Sequence, residues 1–283
     1  MAIKLETIGQ TYGPYHTDYD ITQLIVFALG SGAASDGKTD LDWAYEQDLR
    51  INPVYLATIV ASDKVTADID FGFDWAGILH WGIDMQIHKP LLETSGTLST
   101  NITLNALYDR GEGRGCLAQK IAETYDQHGD KLLTIDNWDC AIYDGGFGGE
   151  KAPRDIVEIP DRQPDYEIDE TLSLNQPVIF RLLGNYHPLH VDWDYAQKYG
   201  YDRPIHMALA VSGMACRHIC NTLLERQPQR LTRFKLRFTG VSYPGMTVTT
   251  QIWRWDDHSV RFRVIDKNNP DTVLLNFALA EWQ

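Results

Sequence analysis

From Arg181 to Leu224 the chain reads RLLGNYHPLHVDWDYAQKYGYDRPIHMALAVSGMACRHICNTLL. Its first part, Gly184-Asn185-Tyr186-His187-Pro188-Leu189-His190-Val191-Asp192, is polar and rich in turn formers. Its second part opens just after Pro204, a residue suited to a helix entry because its missing N–H would be unpaired there anyway. Met207, Val211, Met214 and Ile219 then recur near helical spacing, with Ala208, Ala210, Ser212, Gly213 and Ala215 between them. This predicts a central helix whose small residues let other backbone approach, gripped by a sheet. The first N–H groups of a helix have no internal partner and favour negative charge. A backbone N–H near His206, Met207 or Ala208 is therefore placed to hold an oxyanion developing on a carbonyl. Asn185, His187 and His190 in the turn can face the same point.

Length and composition bound the rest. A chain of 283 residues suits two ordinary domains or one large one. The net charge of −14 argues against nucleic acid, which needs a basic face. No apolar run approaches the roughly 18 residues of a membrane span, and the start, Met-Ala-Ile-Lys-Leu-Glu, lacks a secretory pattern. Cytoplasm is the expected location. Cys116, Cys140, Cys216 and Cys220 form no C-x-x-C pair and read as free and buried.

Along the chain, residues 1–16 read as a surface arm. Thr17 or Asp18 is expected to cap a helix over Ile21 to Leu29, with Gly30 as its stop. A short helix is expected over Trp43 to Leu49 and another over Pro53 to Ala61, while Ile78 to Ile87 is ambiguous. From Thr97 the pattern is strand, turn, strand, turn, strand, and from Thr247 the same order returns. Asp130-Lys131-Leu132-Leu133 against Thr272-Val273-Leu274-Leu275 is a faint internal echo, which leaves duplication open. Gly145 to Gly149 reads as a connector and Asp155 to Asp169 as the junction between halves.

The residue types suggest chemistry, each beside a plainer reading. His190 is a turn histidine or a general acid/base, since histidine titrates near neutral pH. Asn185 is a turn residue or a hydrogen-bonding group for a water or an acyl group. His187 and His190 with Asp192 and Asp194 resemble a metal set, but Pro188 breaks the helical spacing and no third cluster joins them, so no metal is expected. Arg233, Lys235 and Arg237 alternate with Phe234, Leu236 and Phe238, which on a strand gives one basic face. That face either meets phosphates or is merely solvated.

The motif resembles the signature of the MaoC-like, type 2 (R)-specific enoyl-CoA hydratases, G-D-x-N-P-L-H followed by G-[FY]-x-x-P-I-x-H-G-L. Gly184, Pro188, Leu189, His190, Gly200, Tyr201, Pro204, Ile205 and Leu209 match it, and Ser173 to Gln176 and Tyr243 to Gly245 flank it as in the family. The resemblance implies an α+β double hotdog. Residues 1–154 would be a degenerate first domain and 155–283 a second domain carrying the motif. It implies hydration of a trans-2-enoyl-CoA, or the reverse dehydration, on fatty acid or sterol side chains. It implies a homodimer, an acyl-CoA substrate and no cofactor beyond the coenzyme A of that substrate.

In the family an Asp and a His hold the water and a helix-start N–H holds the thioester oxygen. These positions are Asn185, His190 and Ala208 here. Gly184, His187 and Met207 beside these positions are the expected substrate contacts, and the basic face of Arg233, Lys235 and Arg237, exceptional in so acidic a chain, is the candidate contact for the coenzyme A phosphates. Three positions depart from the pattern: Asn185 for Asp, His187 for Asn, and Met207-Ala208 for His-Gly. The first bears most on activity, because an amide cannot accept a proton as a carboxylate does. It fits a substitution that arrests turnover, a divergent hydratase, a non-catalytic acyl-CoA-binding or partner subunit, or a hotdog thioesterase.

Overall fold

The protein is described by a computed structural model covering residues 3–62, 69–74 and 77–283. Its strands are β1 Thr11–Tyr19, β2 Ile78–Ile87, β3 Gly96–Asp109, β4 Cys116–Tyr125, β5 Lys131–Ala141, β6 Tyr166–Thr171, β7 Leu231–Phe238, β8 Thr247–Asp256, β9 Ser259–Asp266 and β10 Val273–Trp282. They form one sheet in the order β1-β3-β4-β5-β2-β7-β10-β9-β8-β6, and every described pairing is antiparallel. This is the expected α+β double hotdog, with the two half-sheets fused edge to edge at β2 and β7. The fusion removes one exposed edge from each half. It demands a glycine: a Cβ at Gly82 would lie 2.9 Å from the Leu236 carbonyl oxygen of β7.

The helices are α1 Ile21–Gly30, α2 Tyr55–Val60, α3 Gln176–Phe180, α4 Trp193–Lys198 and α5 Ala208–Leu223. The predicted central helix is α5, and its residues Leu209 to Cys220 are all buried. The small residues matter where α1 crosses it. A Cβ on Gly213 would sit 2.5 Å from Ser31 Oγ and 2.8 Å from the Phe27 ring. In the first half the six residues of α2 are all buried.

Charged groups bind α5 to both halves. Arg217 is buried and donates to Asp40, to both oxygens of Glu170 and to the Ser31 carbonyl. His218 joins Glu170 at 2.9 Å and Thr250 at 2.9 Å. Burial opposes a charge on Glu170, but His218 and Arg217 together hold its carboxyl below the usual range.

Several local expectations change. Residues 11–16 are not an arm, because Thr11 to Tyr19 pairs with β3 as an edge strand. The cap of α1 is Asp20, not Thr17 or Asp18. Its carboxylate accepts the Thr22 N–H at 2.6 Å while Gln23 reaches back to the Asp20 N–H at 2.8 Å, a reciprocal capping box. The helix expected over Trp43 to Leu49 is a 3-10 turn, Leu41–Trp43, entered through a left-handed Asp40 at φ 60°. The ambiguous Ile78 to Ile87 is the strand at the seam. The expected junction Asp155 to Asp169 already contains the start of β6.

Candidate active site

The turn is built by short-range hydrogen bonds that its sequence dictates. Gly184 closes the turn Arg181–Leu183 at φ +97°, a conformation that glycine adopts without strain. Asn185 Oδ1 accepts the His187 N–H at 3.3 Å, and His187 Nδ1 accepts the Leu189 N–H at 3.3 Å. Pro188 starts a 3-10 turn ending at His190. Asp192 caps α4, accepting the Tyr195 N–H at 3.0 Å. It is thus occupied as a cap, and among the described residues no group of three or more His, Cys, Asp or Glu is arranged to hold a metal ion.

The second part of the motif is clamped onto the first. The Ile205 N–H donates to the Leu189 carbonyl at 3.2 Å, and the Ile205 carbonyl accepts from His190 Nδ1 at 3.1 Å. The next N–H, of His206, donates to the Ser242 carbonyl at 2.7 Å. These bonds bring the start of α5 beside the turn. Met207 is the N-cap residue and offers no side-chain cap. Among the described residues no group accepts from the N–H of Ala208 or Leu209. Ala208 is partly exposed between buried Met207 and buried Leu209, so the helix start opens at that point. The structure therefore brings together Gly184, Asn185, His187, His190, Met207 and Ala208.

The two histidines differ in tautomer for a structural reason. His190 Nδ1 faces a carbonyl, which can only accept, so it carries the proton and Nε2 keeps its lone pair. Burial pushes the His190 pKa down to about 4, with His187, His206 and Arg181 acting in the same direction and the Ile205 carbonyl opposing them. At neutral pH it is an uncharged base. His187 Nδ1 accepts from a backbone N–H, so in the neutral ring the proton sits on Nε2. The rings are 6.1 Å apart, edge to face. One ring offers an acceptor and its neighbour carries the complementary donor.

Sequence reading missed two residues here. The Arg181 guanidinium donates to the Tyr186 carbonyl at 3.0 Å and lies 5.3 Å from the Tyr186 ring centre, bracing the turn from behind. Tyr195 packs its ring 5.6 Å from His187 at 87°. Neither precedes a recognisable spacing; only closure of the loop shows their place. His206, at the predicted helix start, is buried between the Met207 carbonyl and Gln176 and faces away from solvent.

The basic strand stands apart from this turn. Arg233, Lys235 and Arg237 do share the outer face of β7, while Phe234, Leu236 and Phe238 point inward. Arg233 is forked onto Asp84 at 2.9 and 2.7 Å. Lys235 is bonded to Asp155 and lies 3.4 Å from Asp84. Arg237 has no carboxylate partner among the described residues. A cavity of about 470 Å³ lined by Leu49, Leu56, Ile87, Leu91 and Leu231 contains none of the expected site residues.

The MaoC like domain family matches residues 155–275, and the MFE-2 hydratase 2 N-terminal domain family matches residues 17–141. A 3-hydroxyacyl-thioester dehydratase Y of Mycobacterium tuberculosis is 30% identical over 270 residues, covering 93% of this chain and 91% of that protein. The chain belongs to the MaoC-like hydratase 2 family. An enoyl-CoA hydratase of the same organism, ChsH3, is 27% identical and covers 98% of both chains. The chain spans 37% of the length of the mouse peroxisomal multifunctional enzyme type 2, to which it is 27% identical. A crystal structure of a MaoC-like dehydratase from Phytophthora capsici superposes with a TM-score of 0.86 over 99% of this chain and 98% of its own, at 24% identity, and shares the fold. This MaoC-like hydratase 2 chain is a lyase by family. Among its described residues no helix is long and apolar enough to cross a membrane.

Proposed function

We propose that this MaoC-like hydratase 2 chain adds water to a trans-2-enoyl-CoA, giving the (R)-3-hydroxyacyl-CoA, and catalyses the reverse dehydration. The observation that carries the reading is the bond from His190 Nδ1 to the Ile205 carbonyl, which leaves the lone pair on Nε2 and ties this ring to the segment leading into α5, where the N–H of Ala208 has no acceptor among the described residues. Asn185 and His187 hold the attacking water. His190 Nε2 takes one of its protons as the oxygen bonds to C3. The C2=C3 electron pair moves toward the thioester oxygen, where the Ala208 N–H and the helix start stabilise the charge. His190 then returns the proton to C2, so one molecule of water is added and the base is regenerated.

Without a carboxylate at 185, this one weakly basic ring carries both proton steps. Turnover is therefore slow beside a site with the Asp–His pair. No cofactor enters apart from the coenzyme A of the substrate. In its finer form the proposal covers both fatty acyl and sterol side chains, a homodimer, a division near residue 154, and a reducing compartment such as the cytoplasm. The four free, buried cysteines support that compartment.

Asn185 specifically favours a second reading, a non-catalytic acyl-CoA-binding or partner subunit. Incubation with trans-2-enoyl-CoA separates the possibilities. Loss of enoyl absorbance with an (R)-3-hydroxy product supports the hydratase. Tight binding with no chemistry over a panel of chain lengths supports the binding subunit. Release of free thiol would indicate a thioesterase.

A further inference from the structure

On the outer face of the sheet three neighbouring strands set one side chain each in a row: Trp81 from β2, Arg237 from β7 and Phe277 from β10. Arg237 stands opposite Gly82 on one side and Asn276 on the other. Its guanidinium lies 5.6 Å from the Trp81 ring centre and 5.9 Å from that of Phe277. Arg110, one residue beyond β3, brings a second guanidinium to 5.2 Å from the Trp81 ring. The order is guanidinium, indole, guanidinium, phenyl.

Phe277 joins this row only through backbone strain. The register of β10 breaks against both its neighbours around this point, and Phe277 takes φ +50°. A bulky side chain rarely adopts that conformation. Bulges re-aim side chains, and here the result is an aromatic ring left partly exposed beside Arg237 rather than buried in the core.

Charge supplies the second observation. Arg233 and Lys235 on the same face are matched by Asp84 and Asp155. Among the described residues Arg110 and Arg237 form no ion pair; Arg110 touches Cys140 Sγ at 3.4 Å and Arg237 the Asp155 carbonyl at 3.4 Å. In a chain of net charge −14 these are two cations beside aromatic plates with no ion-pair partner among the described residues. A planar base stacks on such plates, and phosphate oxygens take charge-assisted bonds from such guanidiniums.

We propose that Arg110, Trp81, Arg237 and Phe277 bind the nucleotide end of coenzyme A, its adenine on the aromatic rings and its 3′-phosphate on the guanidiniums. The identity of the nucleotide rests on the hydratase reading. Placement agrees with it. The chain runs from Arg237 to Ser242, whose carbonyl holds His206 beside the start of α5. Those five steps span no more than about 18 Å. Arg233 lies at the opposite end of β7.

The test is calorimetric titration of the full chain with adenosine 3′,5′-bisphosphate, coenzyme A and dephospho-coenzyme A. The wild type binds the bisphosphate, and binds coenzyme A more tightly than the dephospho form. Arg110→Ala, at an exposed position, and Arg237→Gln, checked for folding by its thermal melt, each weaken the bisphosphate by at least about tenfold, the scale of a lost charged hydrogen bond. In turnover, the ratio of kcat/KM on enoyl-CoA to that on the matching N-acetylcysteamine thioester, which has no nucleotide, falls by a similar factor. Bisphosphate affinity within twofold of wild type in folded variants overturns the proposal. So does equal affinity for the two coenzyme forms, or variants that change only the oligomeric mass and so mark the row as a subunit contact. Bisphosphate binding without hydration of any enoyl thioester would keep this site and sink the hydratase reading. Hydration of the N-acetylcysteamine thioester without bisphosphate binding would do the reverse.

Discussion

Asn185→Asp places a carboxylate where the family motif has one, and the structure says what else it changes. Asn185 Oδ1 accepts the His187 N–H at 3.3 Å, a bond that an aspartate oxygen keeps. Nδ2, the group replaced by the second oxygen, donates to no described residue, so the change costs no hydrogen bond among the described residues. The added negative charge sits in the same turn as His190, whose pKa burial holds near 4. An opposite charge at close range raises such a group by about one to three pH units. A general base at 185 beside a more basic His190 should lift turnover by about 10²–10⁴. The assay is loss of enoyl absorbance between pH 4 and 9. In the wild type the base is neutral above its pKa, so the rate is flat at neutral pH and falls only near pH 4. In the variant the plateau rises and the acid limb moves to higher pH. A folded variant with the same acid limb and a plateau within about threefold of wild type, well below the range expected for acid–base assistance, would show that proton transfer at this turn does not limit the reaction.

Three further outcomes test the frame. Glu170→Ala leaves the buried Arg217 without its main partner and should cost about 3–5 kcal/mol in urea unfolding, whereas a surface pair would cost under about 1 kcal/mol. Gly213→Ala drives a methyl into Ser31 Oγ and the Phe27 ring, so it should destabilise by about 1–3 kcal/mol despite the better helix propensity of alanine; a stabilised variant would contradict the crossing of α1 and α5. Burial depresses the His206 pKa from 6.5 to about 4, so stability present above pH 6.5 is lost as pH falls toward 4, by about 3 kcal/mol for this ring at ~1.4 kcal/mol per pH unit. His206→Gln should flatten that slope in unfolding measured at pH 7 and 4.5, and an unaltered slope would assign the acid sensitivity elsewhere.

The site was largely legible because its geometry is local. Gly184, Asn185, Pro188 and His190 fix one another through bonds spanning a few residues, and Pro204 with the small residues after it announces the helix start. What sequence left obscure depends on long-range pairing. β1 looked like an arm because an edge strand leaves most of its side chains in solvent. β2 looked ambiguous because Trp81 and Gly82 sit at a register shift, and alternation is lost there. Arg233 and Lys235 looked like free cations because Asp84 is about 150 positions away in sequence and meets them only across the seam. Arg110 and Phe277, by the same token, become neighbours of Arg237 only once β2, β7 and β10 lie side by side and β10 bulges.

The most direct measurement is hydration of a trans-2-enoyl-CoA by the wild type and by His190→Gln, which removes the base while leaving Asn185 and the start of α5 in place. Removing general-base assistance should lower kcat by about 10²–10⁴, and coenzyme A thioester affinity should change far less. Equal turnover by the two proteins, or no hydration by the wild type of any enoyl-CoA that it binds, would contradict His190 as the base of a working hydratase.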